Sequence, residues 1–230
     1  MAAVSKTAGA DHAILGSNPR PRAKKERRIT MTKARHFVVS DLHLGHANVI
    51  LYEHCRAEAL SKLLSVSVES VKEMAKDKNT YLMQFHNQML IDAWNSVVGP
   101  EDVVFFLGDF CLTRNKELIQ GWVSQLNGRK RLIMGNHDVR KPEFYMECGF
   151  ESVSQYPALY NNHIFLSHQP LPHEIVPKGY INFFGHVHGN TEFNWERGVC
   201  VSVEQLPNFT PIPIDQYIGD WSEMYPDRHK

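Results

Sequence analysis

Five short polar clusters are spread along the chain: Asp41-Leu42-His43, Gly108-Asp109, Gly135-Asn136-His137-Asp138, Ser167-His168 and Gly185-His186-Val187-His188. Together they offer carboxylate oxygen, amide oxygen and imidazole nitrogen, and the set needs no thiolate. Mixed oxygen and nitrogen donors of this kind suit Mn, Fe or Zn. In extended chain, residues i and i+2 point to the same side, so Asp41 with His43, and His186 with His188, can each present two ligands in one direction. A pair of ions also needs a carboxylate able to bridge them. Asp109, behind a glycine that admits close backbone approach, is the natural bridge. Such a pair neutralises phosphoryl charge and supplies hydroxide near neutral pH, which is what phosphate-ester hydrolysis demands.

Rigid elements must bring these clusters together. His36-Phe37-Val38-Val39-Ser40 is a short β-branched run ending in polar residues, as a buried strand feeding a loop would. Similar runs stand at 103–107, 131–134, 163–166, 180–184 and 199–203. Helical spacing joins Leu82, Phe85, Met89, Leu90, Ala93 and Val97, and again Leu118, Ile119, Trp122, Val123 and Leu126 before a stop at Asn127-Gly128. Strands alternating with helices, then mostly strands, indicate an α/β layered fold, and all five clusters fall in or just after predicted strands, where loops converge and ligands bind. Residues 54–79 stay unassigned: Ser65-Val66-Ser67-Val68 suits a strand or loop, and the following Glu69–Met74 stretch suits a helix.

The chain has 230 residues, 43% apolar and 22% charged, the profile of a globular protein with one sizeable core. Its net charge of zero hides an asymmetry, because residues 1–30 hold seven Lys/Arg against two Asp/Glu and leave 18 against 23 in the remainder. We read 1–34 as a basic, flexible N-terminal extension and 35–230 as a single domain. A mildly acidic body argues against a grip on extended duplex nucleic acid. No apolar run approaches ~20 residues, so no membrane partner is expected. Cys55, Cys111, Cys148 and Cys200 form no C-x-x-C pair, and the apolar stretch Ala13-Ile14-Leu15 is too short for a signal-peptide core. A reducing, cytoplasmic location is the expectation.

In order, the five clusters resemble the pattern of the calcineurin-like metallophosphoesterase superfamily: D-x-H, G-D, G-N-H-D, a lone His, then G-H-x-H. The Gly45-His46-Ala47-Asn48 continuation resembles a small bacterial and phage-type group within it. The resemblance implies a four-layer α/β fold, a central β-sandwich flanked by α-helices with metals at one edge. It implies two divalent ions, manganese first, with iron or zinc also suited. Asp41, His43, Asp109 and His188 would hold one, and Asp109, Asn136, His168 and His186 the other. His137 would face the substrate and assist the leaving group, with Asp138 orienting its ring. The implied activity is hydrolysis of a small phosphomonoester or phosphodiester, of nucleotide type among others, by a metal-bridging hydroxide.

Other residues keep two readings. His46 and Asn48 fit contacts to the substrate phosphate, or the start of a locally capped helix. Arg140, with Arg114, fits a phosphate clamp or an ordinary exposed loop. His173 lines the site or lies on a surface loop. Cys111 reads as a small buried residue. Two alternative functions also stand: a nuclease acting on short or single-stranded nucleic acid, and a non-catalytic scaffold, which loss of ligand residues would mark. Oligomeric state is not legible.

Overall fold

The computed structural model describes residues 33–215; the expected basic extension over 1–34 therefore lies almost entirely outside the described residues. Four parallel strands, β1 (His36–Val39), β2 (Val103–Phe106), β3 (Arg129–Ile133) and β4 (Ser152–Ser154), stand in the order β4-β3-β2-β1. On the far side of β1, the two-residue β9 (Ile212–Pro213) pairs antiparallel with it. A second sheet has the order β5 (Ala158–Tyr160), β6 (Ile164–Ser167), β7 (Ile181–Phe184), β8 (Gly198–Cys200); only β5 runs antiparallel to its neighbour. One hydrophobic core joins both sheets, with Val38, Val39, Phe106, Leu166 and Phe183 all buried in it. At the sheets' shared edge Ser40 bridges Ser202, its N–H donating to Val201 O at 2.9 Å. That stitch brings the carboxyl ends of β1 and β8 to one place.

The helices follow from caps and apolar spacing. In α4 (Thr80–Val97) the Asn79 side chain accepts from Leu82 N–H, and Leu82, His86, Leu90, Ile91 and Trp94 form the buried stripe. In α5 (Lys116–Gln125) Asn115 caps Leu118, and Ile119 and Val123 face inward. Between β1 and β2 the chain also forms α1 (Ala47–Tyr52), α2 (His54–Leu64) and α3 (Val68–Lys76). These three and the start of α4 enclose a satellite core of Val49, Ile50, Ala57, Leu60, Val71, Ala75 and Leu82.

The unassigned stretch 54–79 is thus two helices and a turn. Ser65 ends α2 in the left-handed region (φ 55°), and Ser67 caps α3 by accepting from Ser70 N–H. The alternating Ser and Val mark the turn, not a strand. The stripe on α2 escapes a hydrophobic reading because one of its buried positions is Arg56. Short β4, β5 and β9 have no sequence signal of their own, whereas the six-residue α6 (Pro142–Glu147) starts on Pro142 with Glu143 in its first turn and stops before Gly149. Among the described residues no helix is long and apolar enough to cross a membrane.

Asp102 anchors the entry to the first sheet. Its carboxylate accepts from Arg35 N (2.9 Å), Arg35 Nη2 (2.6 Å) and Gly99 N (2.8 Å). Burial works to raise its pKa, but these donors hold it below the usual carboxylate range. A depressed carboxyl contributes stability above its unfolded pKa of about 3.9 and loses it as pH falls through the folded value. Asp102→Asn should therefore cost about 2 kcal/mol at pH 7, with the difference shrinking below about pH 3.9, as measured by urea unfolding across pH.

Candidate metal centre

Each cluster leaves the carboxyl end of a strand: Asp41 and His43 follow β1, Asp109 follows β2, Asn136 to Asp138 follow β3, His168 follows β6, and His186 and His188 follow β7. The loops are laced by backbone bonds, Asp41 N–H to Gly108 O and His43 N–H to Asp109 O, both 3.0 Å. Two glycines set how closely they approach. A Cβ on Gly185 would lie 2.1 Å from Ser40 Oγ and 2.4 Å from Asp41 Oδ2, and one on Gly135 would lie 2.2 Å from Asp109 Oδ1. Asp41, His43, Asp109, His186 and His188 all sit at positive φ, between 50° and 71°. Left-handed backbone at non-glycine residues is costly and concentrates at functional sites; here it turns successive donors inward.

Two groups of donors result, Asp41, His43 and His188 in one, Asp109, His168 and His186 in the other. Within each, ligand atoms lie within 4.8 Å of one another. Asp109 also reaches the first group. Its Oδ2 is 3.5 Å from both His43 Nε2 and His168 Nε2, and its Oδ1 accepts from His137 N–H at 2.9 Å. Asn136 joins the second group, its Oδ1 2.9 Å from His168 Nε2, and His186 Nδ1 is 3.2 Å from that same nitrogen. The seven side chains expected to act as ligands are therefore brought into one place.

The donor chemistry fits cations. Asp41 Oδ1 and His43 Nε2 are buried with no hydrogen-bond partner, an expensive state for polar atoms. Asp41 Oδ2 is occupied by Ser202 Oγ–H (2.7 Å) and His186 N–H (2.9 Å), which leaves Oδ1 to the centre. Burial and then the Asp41 charge push Asp109 up to about 6, the signature of carboxylates crowded without a counter-charge. Asp41 is held well below its usual range: burial opposes ionisation, but His43, His168 and His188 outweigh it. Burial lowers the pKa of both His43 and His186 below the ordinary value.

The tautomers are set from outside. His168 Nδ1 lies 2.8 Å from Leu107 O, and His188 Nδ1 lies 3.0 Å from Glu204 Oε1, so both rings turn Nε2 inward. Burial works to lower the pKa of His188, but Glu204 holds it above the ordinary value. His137 is 42% exposed beside the cluster, its Nε2 3.9 Å from Asp109 Oδ2 and its ring 5.3 Å from that of His43. His46 is drawn in as well, 5.3 Å from His43 and 6.3 Å from His137 between ring centroids, its pKa lowered to about 4 by burial and by those two rings.

Asp138 requires a correction. It does not orient the His137 ring. Its buried carboxylate accepts from the backbone N–H groups of Asp109 (2.8 Å), Phe110 (3.2 Å) and Gly135 (2.9 Å), clamping the second and third loops together. Burial and then the charge of Asp109 push it up to about 6. The Arg140 guanidinium lies over the Phe144 ring, 5.5 Å from the centroid. Asn48 is exposed on α1 and is not bonded to the cluster, and His46 begins that helix without a side-chain cap. His173 stacks on Trp195, 3.8 Å between centroids. Cys111 is buried, its thiol pushed up to about 12 by that burial.

Sequence reasoning missed Arg56, His86 and Glu204, which are packed behind the first donor group. Arg56 lay in the unassigned segment, and Glu204 stands 16 residues beyond His188 with no motif around it. A signal existed only in hindsight of burial, as an arginine on the apolar side of a helix.

The chain is similar to archaeal and phage proteins and to a solved bacterial one. A protein of Methanocaldococcus jannaschii, itself uncharacterized, is 30% identical over 194 residues, covering 80% of this chain and 90% of its own. The Gene 66 protein of Mycobacterium phage L5 is 35% identical over 105 residues, 45% of this chain and 39% of the phage protein, so the match spans well under half of that relative. A solved protein of unknown function from Aquifex aeolicus shares the fold, with a TM-score of 0.53 at 21% identity over 82% of this chain and all of that one. The sequence pattern of the calcineurin-like phosphoesterases matches residues 34–223, from the start of β1 past the last donor. With a sheet pair of this kind and an ordered set of carboxylate, amide and imidazole donors at its edge, the chain belongs to the calcineurin-like phosphoesterase family.

Proposed function

We propose that this protein hydrolyses small phosphate esters with two divalent ions, manganese first and iron or zinc also suited to the donors. Asp41, His43 and His188 would hold one ion, Asn136, His168 and His186 the other, and Asp109 both. The observation that carries the reading is the position of Asp109 Oδ2, 3.5 Å from a histidine nitrogen of each group. When bound, such ions neutralise phosphoryl charge and acidify water. The chain's own residues do the rest. Leu107 O and Glu204 fix the rings of His168 and His188, and the Asp138 clamp keeps Asp109 and Asn136 in register. His137 is exposed enough to meet substrate, and its imidazole can give a proton to the departing oxygen. His46 stands beside it, placed for the same substrate phosphate.

No donor of the expected set is missing, which favours an enzyme over a scaffold. An open cleft of about 440 Å³ adjoins His186, lined also by Gln169, Pro170, Val187, Asn190 and Phe193, and it suits the organic part of a small ester. The acidic body weighs against extended duplex nucleic acid, and short single strands belong in the substrate panel beside mono- and diesters.

Metal-free protein should be inactive on chromogenic mono- and diesters, gain activity with Mn²⁺ and lose it to chelator; full activity without metal would sink the reading. Asp109→Asn should lower kcat/KM at least about 10³-fold, since it touches both groups. His137→Ala should lower kcat about 10²- to 10³-fold with both ions retained, and more for alkyl than for nitrophenyl esters, because a poor leaving group depends most on the proton. Loss of an ion in that variant, read by metal analysis, would make His137 a ligand instead.

A further inference from the structure

Behind the first donor group lies a buried ion pair of which one member, Glu204, touches a proposed ligand, His188. Arg56, on α2, and Glu204 both have fully buried side chains. Arg56 Nε donates to Glu204 Oε1 at 2.7 Å, Nη1 to Leu42 O at 2.9 Å and Nη2 to Asp41 O at 2.6 Å, and Nη1 is 3.0 Å from His86 Nε2. Glu204 Oε1 in turn lies 3.0 Å from His188 Nδ1. One guanidinium therefore holds two successive carbonyls of the Asp41-Leu42-His43 turn, and through Glu204 it reaches the third donor of the group.

Stability alone does not account for such a pair. Replacing a buried ion pair by apolar groups of similar volume is often neutral or favourable, so stability is weak grounds for keeping one. Asp41 and His43 sit at φ 62° and 51°, a backbone that must be over-determined by its surroundings. A planar fork with fixed donors meets that need, and a lysine ammonium does not. Neither Arg56 nor Glu204 bonds to Asp109, His168 or His186; His168 is held by Leu107 O instead. The support is one-sided.

We propose that Arg56 and Glu204 are positioning residues for Asp41, His43 and His188, through which the helical segment after β1 sets the affinity of one of the two ions. This rests on the ligand reading given above. The test compares wild type, Glu204→Gln and the paired change Arg56→Met with Glu204→Leu, by calorimetric titration of Mn²⁺ and by thermal unfolding without metal. His188→Ala and His168→Ala identify which ion is which. We expect both test proteins to fold without metal, Glu204→Gln with the larger drop in unfolding temperature because it leaves the buried Arg56 charge without its partner. We expect one ion, the one His188→Ala removes, to bind ten- to a hundredfold more weakly, with the other unchanged. Wild-type affinity at both positions, equal weakening of both, weakening of the ion that His168→Ala removes, or a metal-free test protein that does not fold would each overturn the proposal. Wild-type protein that takes up no ion would overturn the ligand reading itself, a result distinguishable from all of these.

Discussion

Two carboxylates, Asp41 and Asp109, are buried together at the edge of the paired sheets, and their like charge is the constraint around which the rest is arranged. Both are shut away from bulk solvent, and Asp41 Oδ1 has no hydrogen-bond partner in the protein. Imidazoles from four loops surround them, and the outer nitrogens of His168 and His188 are taken up by Leu107 O and Glu204. A cluster so satisfied from behind and so bare in front is built to receive positive charge.

Holding it open requires a frame that does not yield. Parallel strands buried on both faces supply it, with β1 and β2 fully enclosed beyond the first residue. Their carboxyl ends then differ only in loop geometry, and the loops are tied to one another more than to solvent. The Asp138 carboxylate is the clearest case, because it looks in sequence like a partner for the adjacent histidine. Its three backbone bonds show that it serves instead to lock two loops. The left-handed backbone at five donors is tolerated because these cross-ties leave no relaxed alternative.

Behind the sheet edge, the four helices between β1 and β2 add a small core of their own and deliver Arg56 to the back of the site. Arg56 and its partner Glu204 join that peripheral segment to the first donor turn through a few bonds.

The sequence by itself determined the order and kind of the donors, since D-x-H, G-D, G-N-H-D, the lone His and G-H-x-H each carry their chemistry in adjacent residues. It determined the central strands and the two strong helices too, because β-branched runs and apolar spacing are local signals. Only the tertiary structure decided that α2 is a helix, where a buried arginine interrupts the apolar stripe, and that β4, β5 and β9 form at all, because two- and three-residue strands are made by their neighbours. It alone decided what Asp138 and Arg140 touch, and that Glu204 stands behind His188. Hydrogen-bond partners 15 to 161 residues apart leave no pattern in a single chain, because the distance between them is set by folding and not by spacing.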